Sequence, residues 1–424
     1  MMTMNDQSMN FDSAKEMDAA DPLRGFRERF NFPLEKHDVE PIYFTGNSLG
    51  LMPKKAREYV DQELEDWSRL AVAGHLNAKH PWLPYHEFLT EQMAAIVGAR
   101  PIEIVVMNSL TVNLHLLMVS FYRPTSLRHK IVIEKGAFPS DQYAVESQIK
   151  FHGFDPQGSL IELTPREGEA GLRTEDIIET LERNGDTIAL VMLGGVNYYT
   201  GQAFDMKAIT KAGQGVGAVV GFDLAHAAGN LKLEMHEWDV DFAVWCTYKY
   251  LNGGPGAVAG AFVHERHARE FGLARFAGWW GHDKETRFLM GPEFKPLAGA
   301  EGWQISNPPI LQMAALRASL EIFAEAGIGA LREKSVKLTG YLESLIDDIA
   351  DERIEIITPR DPQQRGCQLS IRVKTGDKSL FGKITSHGVY ADWREPDVIR
   401  VTPVPLYNSF MDVYRFADIL SDCL

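Results

Sequence analysis

Cysteine is scarce in this chain. Its 424 residues include three, Cys246, Cys367 and Cys423, an odd number, far apart and without a CxxC pair. That excludes a disulfide framework and a cysteine-rich zinc site, and it fits the reduced thiols of a cytoplasmic protein. Basic residues are also in deficit: 43 Lys+Arg against 58 Asp+Glu leave a net charge of −15. Nucleic-acid binding needs a basic face that displaces counterions, so neither nucleic acid nor an anionic membrane is an expected partner. Long apolar runs are missing as well. The longest, 188–193 and 114–121, fall far below the roughly 20 residues that span a bilayer. Residues 1–20 have no basic stretch followed by an apolar core, so they read as a mobile acidic tail and not as a signal peptide. The run His264-Glu265-Arg266-His267 lacks HExxH spacing, and no metal is expected.

What is present is a length that suggests two or three domains and a sizeable core. From about 100 to 263, apolar runs alternate with helical stretches. The strand candidates are KIVIE (130–134), SLIEL (159–163), TIALVML (187–193), GAVVGFD (217–223) and DFAVWC (241–246). Helix candidates lie between them at 140–150, 173–184 and 205–214, and AVAGAFVH (257–264) reads as a strand added in the other direction. Apolar strands without alternation point to a buried, mostly parallel sheet with helices on both faces. After Asn307-Pro308-Pro309 the texture changes to long helices broken near Gly327, short strands and a final helix from about 410. The expected class is therefore α/β with a smaller α+β C-terminal domain. The expected division is a tail (1–20), an N-terminal segment packing with the small domain (21–70), a large domain (71–309) and a small domain (310–424).

The most informative feature is GFDLAH (221–226) followed by WCTYKYLNGG (245–254). Asp223 ends one apolar strand and Lys249 lies just beyond the next. Open α/β sheets bind ligands outside the carboxyl ends of their strands, so a carboxylate and an amine meet at one rim. Pyridoxal 5'-phosphate (PLP) needs this pair: an amine to form a Schiff base with its aldehyde, and an acid to keep the pyridine nitrogen protonated. His226 is placed to hydrogen-bond the Asp223 carboxylate. Taken singly, Asp223 reads as a loop cap, His226 as a buried histidine and Lys249 as a solvated residue. Together, beside Tyr248 and flanking glycines, the cofactor reading is the better one.

A phosphate cradle is expected with the ring. MNSLTVNLHLLM (107–118) offers Asn108 or Ser109 as an N-cap ahead of Leu110 and Thr111. Free N–H groups at a helix start bind phosphate, although an ordinary capped helix has the same pattern. Phe138 follows the KIVIE strand and can stack on a heteroaromatic ring or serve as a core residue. Asp141 reads as a helix cap or as a second acid near the ring.

These segments resemble the kynureninase family of aspartate-aminotransferase-like, fold type I PLP enzymes. The matching stretches are YFTGNSLGLMPK, NSLT, FPSDQY, GGVNYYTGQ, GFDLAHAAGN, TYKYLNGGPG, GWWGH, ISNPP and IRVTPVPLYNSF. The resemblance implies a homodimer with shared active sites, acting in tryptophan catabolism. It implies hydrolysis of L-kynurenine or 3-hydroxykynurenine to L-alanine and an anthranilate. Lys249 would carry PLP, Asp223 would contact the pyridine nitrogen with support from His226, and Leu110, Thr111 and Tyr248 would hold the phosphate. Phe138 would stack on the ring, and Trp279 and Asn307 would reach it from the neighbouring subunit. Ser48, Asp141 and Gly194 also match cofactor-site positions, with glycine at 194 where some relatives carry serine. Arg400 would grip the substrate α-carboxylate, as a planar fork suits; Arg394 and Arg372 compete for that role. Tyr248 is the expected proton donor, and His282, Ser306 and Asn307 would face the aromatic amine.

Three rival readings remain. GNSLG (46–50) matches the nucleophile elbow of a serine hydrolase, but too few strands precede it. Another fold type I PLP enzyme, such as a cysteine desulfurase or an aminotransferase, is the second; the desulfurase needs a mobile catalytic cysteine, and none of the three has a glycine-rich loop setting. A non-catalytic protein on the PLP fold is the third.

Overall fold

The computed structural model describes residues 11–33 and 40–424. The described part includes, before the sheet, helices α1 (Phe11–Ala20) and α2 (Lys55–Leu70). An α/β array follows: β1 (Ile104–Val106), α3 (Leu110–Phe121), β2 (Lys130–Glu134), α4 (Pro139–Phe151), β3 (Leu160–Leu163) and α5 (Thr174–Asn184). It continues through β4 (Ile188–Gly194), α6 (Met206–Gly215), β5 (Val219–Asp223), β6 (Phe242–Trp245) and β7 (Gly260–Val263). The last part comprises α7 (Ile310–Ala326), α8 (Ile328–Ile349), β8 (Ile354–Ile356), β9 (Leu369–Val373), β10 (Asp392–Arg394), β11 (Val398–Val401) and α9 (Phe410–Cys423).

The large sheet has seven strands in the order β1-β7-β6-β5-β4-β2-β3. Its β3-β2, β2-β4, β4-β5 and β5-β6 pairs are parallel, whereas β7 runs antiparallel to β6 and to β1. The five expected strands of the array lie within two residues of β2 to β6, and 257–264 supplies the reversed β7. Apolar runs without alternation arise because both faces are covered: Ile131 and Ile133 of β2 enter one core with α3 and α4, and Val132 enters the other. Strand β1 went unexpected because three residues carry no periodicity.

A four-stranded antiparallel sheet, β8-β9-β11-β10, forms a separate core with α9 and the part of α8 from Leu338 onward. Helix α7, in contrast, buries Met313, Leu316, Leu320 and Phe323 in the core of the large sheet and packs on α2.

Residues 11–20, expected within a mobile tail, form a helix. Ala14 is fully buried, and Asp18 accepts hydrogen bonds from the Phe410 and Met411 N–H groups at 2.7 and 3.0 Å. The carboxylate thus caps α9, whose first N–H groups have no partner within the helix. Residues 1–10 lie outside the described part. Among the described residues, no helix is long and apolar enough to cross a membrane.

Candidate active site

Four strand ends build one rim. Glu134 ends β2, Gly194 ends β4, Asp223 ends β5, and β6 leads through Cys246 and Thr247 into Tyr248 and Lys249. Glu134, Gly194, Asp223, Tyr248 and Lys249, with Leu110 and Thr111 at the start of α3, border one cleft. Phe138, Asp141 and His226 also line it, as do Ser140, Val196, Tyr198 and Ala225. Nine of the expected positions therefore converge: Leu110, Thr111, Phe138, Asp141, Gly194, Asp223, His226, Tyr248 and Lys249.

The Lys249 Nζ lies 3.0 Å from His226 Nε2, 5.8 Å from the centre of the Phe138 ring and 5.9 Å from that of Tyr248. The expected bond from His226 to Asp223 is replaced by this contact with Lys249. Burial and the charges of Lys249, Arg400 and Arg394 hold the imidazole well below its ordinary range, so it is neutral. With Nε2 accepting from Lys249, its proton sits on Nδ1, which is buried and has no partner.

Asp223 accepts from the Ala225 N–H at 2.7 Å and faces Asp141. Burial raises both carboxyls, Asp141 further because the charge of Asp223 adds to it. Two adjoining buried carboxyls cannot both ionise cheaply, so Asp141 keeps a proton and donates it to Asp223. Glu134 is a third acid, unnoticed in the sequence. Burial pushes it up to about 7, against the pull of backbone N–H groups including that of Gly194 at 3.3 Å. The signal was available: Glu134 closes the KIVIE strand as Asp223 closes GAVVGFD. Burial also raises the Tyr248 phenol, which keeps its proton.

Ser109 is the N-cap of α3, in extended conformation and without a side-chain bond to the helix. No cap side chain occupies the first-turn N–H groups, and the Thr111 and Ser140 hydroxyls, 2.7 Å apart, line the same cleft.

The remaining expected residues lie outside the cleft of the single chain. Trp279 is 43% exposed and donates to the Arg287 carbonyl at 3.4 Å. His282 contacts the Thr286 hydroxyl at 3.0 Å, and Ser306 and Asn307 are exposed. Ser48 is exposed, borders a separate depression with Thr45 and Asp392, and has no histidine partner. The glycines around Ser48 serve close packing instead: Gly50 donates to the Tyr248 carbonyl at 2.8 Å, and a Cβ there would come within 2.4 Å of the Lys249 oxygen. Arg372 forms an outlying pair with Glu355 at 2.7 Å. Arg400 is 2% exposed, donates to the Tyr198 carbonyl at 2.9 Å and pairs closely with Asp392, so a protein carboxylate already engages its fork.

Comparison with known proteins decides between the rivals. The model of the kynureninase C-terminal domain matches residues 331–420. A kynureninase from Koribacter versatilis is 65% identical over 411 residues, 97% of this chain and 96% of that protein. One from Myxococcus xanthus is 60% identical over 96% of each chain. This chain belongs to the kynureninase family. A kynureninase from Nematostella vectensis is 51% identical over 96% of this chain and 92% of its own.

Solved structures agree on the fold. C-DES with glycine covalently linked to its PLP cofactor has a TM-score of 0.75 at 17% identity, covering 90% of this chain and 96% of that one. An apo cysteine desulfurase from Thermococcus onnurineus NA1 gives 0.74 at 17% identity, covering 90% and 94%. At that identity the likeness is one of fold alone. The cysteines separate this kynureninase-family chain from a desulfurase: Cys246, Cys367 and Cys423 are all buried, and burial pushes the Cys367 thiol up to about 12.

Proposed function

We propose that this chain is a PLP-dependent hydrolase that cleaves the bond between Cβ and the aryl ketone carbon of L-kynurenine or 3-hydroxykynurenine. One water is consumed, and L-alanine and an anthranilate are released. The observation that carries this reading is Lys249 Nζ facing the acid pair Asp223–Asp141 in one cleft, on a chain 65% identical to a kynureninase.

The cleft fits PLP on its own terms. It presents a lysine amine, an unpartnered His226 Nδ1–H, an unpartnered Asp141 oxygen, the half-exposed Phe138 and the uncapped N–H groups at the start of α3. Lys249 would hold the aldehyde, Asp223 the pyridine nitrogen, and Leu110, Thr111 and Tyr248 the phosphate. When bound, PLP supplies an electron sink for the carbanions at Cα and Cβ. Lys249 carries the Cα proton at Nζ, oriented by His226 Nε2 at 3.0 Å. Tyr248, protonated, donates to Cβ, and Arg400 orients the α-carboxylate.

Two further parts of the reading concern assembly and setting. The segment 276–290 exposes Phe276, Trp279, Phe288, Leu289 and Met290, which supports a homodimer in which Trp279, His282, Ser306 and Asn307 complete the partner's cleft. Three free cysteines and no disulfide among the described residues support a cytoplasmic setting.

The deciding test is Lys249→Ala. The purified variant should lack the long-wavelength absorbance of lysine-bound cofactor and lose at least roughly 10³-fold in kcat. Full turnover with that absorbance retained would refute the assignment.

A further inference from the structure

Two arginines next to the cleft share a single carboxylate. Asp392 on β10 stands directly across from Arg400 on β11 in the antiparallel register. Its Oδ2 accepts a close contact from Arg400 and another from Arg394 at 3.0 Å. The other end of the Arg400 fork is held by the Tyr198 carbonyl at 2.9 Å, and Tyr198 lines the cleft. Both guanidiniums keep a buried Nε–H without any acceptor. The group carries two positive charges and one negative charge, and the surplus bears on the cleft, where it helps to keep His226 neutral. A buried cation with an unmet donor is costly unless an anion completes it.

We propose that Asp392 is the positioning residue of the substrate-carboxylate site: it fixes the Arg400 fork from one side so that its unpartnered Nε–H edge meets the α-carboxylate on the other. The proposal rests on Arg400 as the carboxylate anchor. Asp392 neutralises one guanidinium charge and leaves the second for the substrate. Without it the fork has one fixed hydrogen bond, to Tyr198, about which it turns. Arg394 contributes by sharing Oδ2, which keeps Asp392 itself in place. The sequence hides this arrangement, since Asp392 and Arg400 are eight residues apart and meet only through the β10-β11 register.

A double-mutant cycle on the PLP-loaded enzyme tests it, with KM and kcat for L-kynurenine and PLP affinity as readouts. Arg400→Lys should raise KM by roughly 100-fold, and Asp392→Asn by roughly tenfold with kcat changed less than about threefold and PLP affinity unchanged. In the Arg400→Lys background, Asp392→Asn should add less than about threefold, because the fork it positions is gone. Asp392→Ser, measured in parallel, carries the same prediction if the Asn variant folds poorly. Unchanged KM in Asp392→Asn beside a raised KM in Arg400→Lys would overturn the inference alone, and so would two effects that multiply. Unchanged KM in Arg400→Lys would overturn the anchor reading and the inference with it.

Discussion

Glu134 ends β2 at the rim where Asp223 ends β5, and its carboxyl is pushed up to about 7 by burial. An ordinary glutamate in the unfolded chain titrates near 4.5, so between these values the folded state binds more protons than the unfolded one. The sign follows: the stability linked to this proton is present below pH 4.5, is lost as pH rises towards 7, and changes no further above it. In cofactor-free protein, Glu134→Gln should remove that part of the slope. The variant should be more stable than the parent above pH 7 by on the order of 1–3 kcal/mol, and no more stable near pH 4. Urea unfolding at the two pH values reads the difference, and an equal gain at both would disprove the cause given. Gly194 belongs to the same neighbourhood: a Cβ there would lie 3.0 Å from Glu134 Oε1, so a larger residue at 194 and an ionisable Glu134 compete for one space.

Helix α1 shows how one side chain ties distant segments together. Asp18 caps α9 across nearly the whole length of the chain, and Asp21 nearby forms a buried pair with Lys334 of α8 at 2.7 Å. Asp18→Ala should cost about 1–2 kcal/mol by leaving two N–H groups at the α9 start unmet, whereas Asp18→Asn, which keeps an acceptor, should cost less. Thermal unfolding of the two variants separates them; equal losses would mean that charge alone matters. The helix was illegible in the sequence because its polar composition resembles a tail and its partner lies at the far end of the chain. The strands β2 to β6 were legible because burial on both faces leaves a continuous apolar run that needs no long-range information.

At the scale of the whole molecule, the proposed dimer makes a quantitative prediction. Lys249→Ala and Trp279→Ala protomers, each inactive alone, should regain activity when unfolded together and reassembled. A heterodimer then holds one site with both defects and one intact site. Random assembly makes about half of the dimers mixed, so activity should return to roughly a quarter of the parent value. No recovery, with mixed dimers demonstrated by mass spectrometry, would place Trp279 and Lys249 in the same protomer's site. The net charge of −15 does not make this rim uniformly negative, because Lys249, Arg400 and Arg394 act together on His226 there.

Residue types and their order along the chain determined the α/β array, the Asp223–Lys249 pair and the place of Leu110-Thr111 at the same cleft. Each depends on local periodicity or on the rule that loops after parallel strands share a rim. Tertiary structure decided which groups touch: His226 turning to Lys249 and not to Asp223, Glu134 joining the acid cluster, Asp392 seated in the Arg400 fork, and α1 folded onto α9. Those contacts arise from strand register, burial and close packing between segments up to some 390 residues apart. Hydrogen-bond partners and buried charges depend on such distances, and sequence spacing does not encode them.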